Sequence, residues 1–146
     1  MFETIIIAWD GSDHARKAIR VGCDVAKKYE AKIWLCHTPE GGATPIAVDP
    51  FIGAVGAPLP PEEIAAAGKA ALDEAEALVK AEGCEVTGRR VGSVAPSDDV
   101  AALAEEIKAE LIVMGRRGRG AVAGLLFGSA SQEVQRAAPC AVLTVI

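Results

Sequence analysis

The chain has 146 residues, 51% hydrophobic but only 4% aromatic, enough for one domain whose core of Ala, Val, Ile and Leu needs neither metal nor disulfide. A net charge of −5 argues against general binding to nucleic acid or to an anionic membrane surface, and no apolar run approaches the roughly 20 residues of a membrane span. Cys23, Cys36, Cys84 and Cys140 are scattered without a C-x-x-C pair, which fits structural free thiols in a reducing cytoplasm, and Asp10 interrupts the first apolar run too early for a secretory leader.

Residues 4–9 form a short β-branched apolar run and read as a strand buried on both faces. Asp10-Gly11-Ser12 is a turn with Ser12 as N-cap, after which Ala15, Ile19, Gly22, Ala26 and Tyr29 recur at helical spacing. A second strand spans 32–37. The segment 39–61 carries six of the eight prolines and four glycines, which predicts a flexible loop or lid. Pro61, followed by Glu62 and Glu63, opens a helix with Ile64, Ala67, Ala71, Ala75, Leu78 and Val79 as its inward stripe and Gly83 as its stop.

Residues 84–91 read as a third strand, polar enough for a sheet edge. A helix over about 98–109 turns Val100, Leu103, Ala104 and Ile107 inward, and residues 110–114 form the fourth strand. A last helix over 129–137 points Val134 and Ala138 inward, Pro139 ends it, and 140–146 is a uniformly apolar fifth strand. Strands alternating with helical crossovers predict an α/β single domain over residues 1–146, a five-stranded parallel sheet with helices on both faces. Ligands of such sheets bind outside the carboxyl ends of the strands, where Asp10, His37-Thr38 and Gly115 converge.

The richest chemical signal is the strand that runs into Gly115-x2-Gly118-x9-Gly128-Ser129, with Arg116, Arg117 and Arg119 between the glycines. Glycine permits positive φ and lets bare N–H groups approach an anion, and the following helix aims its positive dipole end the same way. The pattern predicts binding of a phosphorylated ligand. No G-x-x-x-x-G-K-[ST] string occurs, which removes the P-loop mechanism. Gly118 to Ala123 does match the dinucleotide fingerprint, but no acidic residue follows at the required distance of about 20 positions.

Several residues keep two readings. Ser129 either caps its helix or also donates to a phosphate, and Ser12 either caps or also reaches one. Asp10 is a turn former or a ligand contact. The three arginines either clamp phosphates or form a solvated loop. His14 is expected to face solvent, and His37 either lines the pocket wall or packs at its strand end. Glu62-Glu63 and Glu105-Glu106 read as helix-surface charges, and no His, Cys or carboxylate set has metal-ligand spacing.

The glycine spacing resembles the ATP-binding signature of the universal stress protein family. The likeness extends through the chain, from the strand ending in Asp10-Gly11-Ser12 to His37, Met114-Gly115, Gly128-Ser129-Ala130-Ser131 and the terminal Ala138-Pro139-Cys140-Ala141-Val142-Leu143-Thr144-Val145. The resemblance implies a Rossmann-like fold of the adenine nucleotide alpha hydrolase type, binding ATP, ADP or AMP with or without Mg²⁺, and a cytoplasmic homodimer joined through strand 141–146. It implies that Asp10 contacts the nucleoside near the ribose or a metal-bound phosphate, and that main-chain groups around Ala8 and Thr38 hold the adenine. Met114 and Gly115 would flank the sugar, while Gly118, Gly128, Ser129 and Ala130 would hold phosphates.

Three functions compete at this point. The first is a stress-response regulator that senses adenine nucleotide and signals through its conformation or through an unknown protein partner. The second is a slow ATPase or nucleotide-transferring enzyme, for which only Asp10 and Asp13 offer carboxylates near the phosphates. The third is a dimeric interaction module with a structural nucleotide or none.

Overall fold

The structure, a computed structural model, describes residues 1–39, 60–93, 95–118 and 128–146. In chain order the elements are β1 (Thr4–Ala8), α1 (Asp13–Tyr29), β2 (Lys32–His37), α2 (Pro61–Ala81), β3 (Val86–Val91), α3 (Pro96–Ile107), β4 (Leu111–Gly115), α4 (Ser129–Ala137) and β5 (Ala141–Val145). Most of the predicted lid at 39–61, and Arg119, lie outside the described residues.

The sheet is parallel throughout, in the order β3-β2-β1-β4-β5. The chain steps outward from β1 to β2 and β3, then returns to the other side of β1 with β4. Ile5 and Ile7 of β1 face one layer, with Ile33, Leu35, Leu111 and Val113, under α1 and α2. Ile6 points the opposite way and joins Cys36, Ile112 and Met114 under α3 and α4. Both faces of β1 are therefore covered, which is why its sequence is continuously apolar rather than alternating.

The helix stripes explain the layers. In α1 the buried positions are Ala15, Ala18, Ile19, Gly22, Cys23 and Ala26, an i, i+3, i+4 progression, while Tyr29 is 37% exposed at the end and meets Phe2 edge to face. The stripe of α2 is rotated from its expected place: Gly68, Leu72, Ala75 and Val79 are buried, Ile64, Ala71 and Leu78 are half-buried, and Ala67 is exposed. Ala-rich helices offer little contrast between faces, and Leu72 with the close approach at Gly68 decides the rotation. Val100, Leu103 and Ala104 of α3 are buried as expected.

Element ends differ by one or two residues. β1 stops before Trp9, although the Trp9 N–H still donates to the Cys36 carbonyl at 2.8 Å. Cys84 and Glu85 do not join β3, because the Cys84 N–H turns back to the Val79 carbonyl at 3.1 Å. α3 starts at Pro96, whose missing N–H costs nothing in a first turn. β3 and β5 are the edge strands, and Leu143 of β5 is 38% exposed.

Candidate functional site

Among the described residues a cleft of about 470 Å³ opens outside the carboxyl ends of β1, β2 and β4, at the point where the strand order reverses. Its volume suits a small organic ligand, for which about 300–1,000 Å³ is usual. The predicted residues Ala8, Asp10, Thr38, Met114 and Gly115 line it, as do Gly118, Gly128, Ser129 and Ala130. Ser12 and Arg117 do not. They meet each other behind the wall, where the Ser12 hydroxyl donates to the Arg117 carbonyl at 3.3 Å. The Arg117 Nε is buried with no partner among the described residues.

The β1–α1 junction fixes one side. Gly11 takes a φ of 77°, a left-handed turn, and Asp10 Oδ1 accepts the Ser12 N–H at 2.9 Å. Ser12 caps α1 by accepting the Ala15 N–H at 3.1 Å. The other carboxylate oxygen, Asp10 Oδ2, lies against Gly118, where an added Cβ would stand only 2.8 Å away.

The β4–α4 segment fixes the other side. None of Gly115, Gly118 and Gly128 has positive φ, which corrects one reason expected for them. Close approach is the operative reason. A Cβ on Gly115 would meet the Ala15 nitrogen and the His14 carbonyl carbon, each at 2.9 Å, so α1 leaves it no room. Gly128 donates its N–H to the Arg116 carbonyl at 2.9 Å, and the buried Ser131 hydroxyl reaches that same carbonyl at 2.8 Å. Arg116 in turn donates its N–H to Val145 of β5 at 2.8 Å, so the turn is tied to the sheet.

These contacts leave the start of α4 without compensation. Its N-cap is Gly128, not Ser129, and no side chain among the described residues caps it. Its first turn has no acidic residue, whereas α1, α2 and α3 begin with Asp13, with Glu62 and Glu63, and with Asp98 and Asp99. The free N–H groups of that turn and the positive end of the dipole stand at the cleft with Ser129 as the first helical residue. Gly118 N–H likewise has no hydrogen-bond partner among the described residues. Such an end accepts an anion, while the Asp10 carboxylate beside it accepts a hydroxyl or a cation.

The opposite wall is less polar, with Cys36, Ala67, Ala71, Pro96 and Val100. Burial, with the Asp99 charge adding to it, pushes the Cys36 thiol up to about 12, so it stands there as a neutral group. His37 also lines the cleft, and its Nδ1 donates to the Trp9 carbonyl at 2.7 Å. The Thr38 hydroxyl donates to Asp99 Oδ2 at 2.7 Å. Trp9 reaches the cleft from beneath Arg16, whose guanidinium stacks on its ring at 5.5 Å and pairs with Glu74 at 2.6 Å.

Trp9, Cys36, Glu74 and Pro96 were missed from sequence because none of them belongs to a motif itself; tertiary packing brings them to the cleft. His14 is a correction. Instead of facing solvent it is half-buried, and its Nδ1 accepts the Arg117 N–H at 3.3 Å. No group of three or more His, Cys, Asp or Glu that could hold a metal ion occurs among the described residues. No helix among them is long and apolar enough to cross a membrane.

Fold and cleft together define a doubly wound α/β domain with an uncapped helix start at its switch point. The sequence model of the Universal stress protein family matches residues 1–145, and the chain belongs to that family. The "Universal stress protein in QAH/OAS sulfhydrylase 3'region" of Thermus aquaticus is 38% identical over 156 residues, covering 99% of each chain. The solved universal stress protein from Archaeoglobus fulgidus is 28% identical, covers 100% of both chains and superposes with a TM-score of 0.73. A universal stress protein solved in complex with cAMP is also 28% identical, with a TM-score of 0.69 over 99% of this chain and 97% of that one.

Proposed function

We propose that the chain binds an adenine nucleotide, ATP or its products ADP and AMP, in this cleft and acts as a stress-response regulator through nucleotide-dependent conformation or partner binding. The observation that carries the reading is the uncapped, acid-free start of α4 facing the cleft beside Gly118. Phosphates bind at the Gly118, Gly128, Ser129 and Ala130 edge, where backbone N–H groups and the helix dipole stabilise them. Asp10 takes a ribose hydroxyl or a Mg²⁺ carried in with the triphosphate. Met114 and Gly115 flank the sugar, and the base lies toward Ala8, Thr38 and Val100. That a relative of 28% identity was solved with cAMP supports adenine as the base.

In this reading Arg117 steadies the turn from behind rather than clamping phosphate, because it does not line the cleft. Two copies pair through β5, an edge strand whose exposed Leu143 a partner strand would cover. The four free cysteines suit a cytoplasmic setting. Equilibrium dialysis with labelled ATP tests the binding: saturable retention at one nucleotide per chain is expected, and retention no greater than in a protein-free control contradicts it.

A further inference from the structure

We propose that His14 is a positioning residue of the anion end, holding the peptide before Gly118 in place through the Arg117 N–H. The inference rests on the nucleotide reading above for its effect on binding, but not for the contact itself. Three contacts from the first turn of α1 converge on residues 115–117. The Gly115 backbone lies flat on His14, where an added Cβ would come within 2.8 Å of the His14 Cβ. The Arg117 carbonyl accepts the Ser12 hydroxyl at 3.3 Å, and the Arg117 N–H donates to His14 Nδ1 at 3.3 Å. Both main-chain polar groups of Arg117 are thus satisfied by one turn of one helix.

The consequence falls on the next residue. Gly118 lines the cleft and Arg117 does not, so the chain crosses from the helix-facing side to the ligand-facing side between them. With the Arg117 amide committed to His14, the adjoining Gly118 amide, unpartnered among the described residues, is left for an anion. Removing the acceptor would orphan a half-buried N–H and let the turn rotate to satisfy it, taking Gly118 out of register with Gly128. The Ser12 hydroxyl meanwhile accepts the Ala15 N–H and donates to the Arg117 carbonyl. Acceptance at Nδ1 requires the neutral ring with its hydrogen on Nε2.

The test uses the full chain, His14→Ala and His14→Asn, whose amide oxygen can still accept. Amide hydrogen exchange at Arg117 is read by NMR without nucleotide, with Ile6 as the internal control for folding, and ATP affinity is read by calorimetry. His14→Ala should exchange at Arg117 about tenfold faster and bind ATP about tenfold more weakly, with Ile6 unchanged, and His14→Asn should recover part of both. Unchanged exchange at Arg117 overturns the contact whatever the nucleotide does. Faster exchange with unchanged ATP affinity overturns the positioning role. Should the parent chain bind no adenine nucleotide, the functional reading fails while the exchange result still decides the contact. If His14→Ala does not fold, imidazole nitrogen NMR of the parent decides: hydrogen on Nε2 supports the contact, and hydrogen on Nδ1 overturns it.

Discussion

The Thr38 hydroxyl and the Asp99 carboxylate join the end of β2 to the first turn of α3 by a hydrogen bond of 2.7 Å. The bond matters because the base would rest against the backbone at Thr38, just past the last strand residue. Thr38→Val keeps the shape of the side chain and removes the donor. It should lower stability by about 1.5 kcal/mol, the usual worth of a hydrogen bond to a charged group, as read by urea denaturation. A variant as stable as the parent would show that the bond contributes nothing.

The glycines separate packing from binding. At Gly115 the obstructing atoms are backbone atoms of α1, which cannot yield without moving the helix. Gly115→Ala should therefore lose about 1–3 kcal/mol of stability. At Gly118 the nearest obstacle is the end of the Asp10 side chain, which can swing aside. Gly118→Ala should leave the unfolding midpoint nearly unchanged while weakening ATP binding about tenfold, because the displaced carboxylate and the new methyl both intrude on the ligand. Equal stability losses in the two variants would remove the distinction.

Much of this was legible beforehand. The bounds of β2 and α4 fall where the pattern puts them, since each lies between strong signals: Lys32 and His37 in one case, Gly128 and Pro139 in the other. The glycine turn and Asp10 were legible because their chemistry is written in consecutive residues. The rotation of α2 was not, because eight alanines spread over its faces hide which one packs. The role of His14 was hidden for a different reason. Its partner is a backbone amide 103 positions away, and nothing in a histidine two residues after an N-cap announces a tertiary acceptor.

Alkaline pH offers an independent check on the core. Burial pushes the Cys36 thiol from 9.0 up to about 12, so the folded state keeps a proton that the unfolded chain releases. The stability is fully present below pH 9 and is lost as pH rises from 9 toward 12, by about 1.4 kcal/mol per pH unit for this thiol. Urea denaturation of the parent and of Cys36→Ala across that range should give curves that converge, because the variant lacks this one loss. Parallel curves would mean that the thiol ionises as freely folded as unfolded.

The start of α4 is where the central claim can be tested with opposite signs in two observables. Ser129→Glu places a negative charge in the first turn, where the dipole favours it, and should raise stability by about 0.3–1 kcal/mol. The same charge occupies the place assigned to the phosphates. Titration calorimetry with ATP is the most direct measurement: the parent should give saturable heat at one site per chain, and Ser129→Glu should give none while unfolding at a higher temperature. A folded parent that shows no heat with ATP, ADP or AMP would contradict the account.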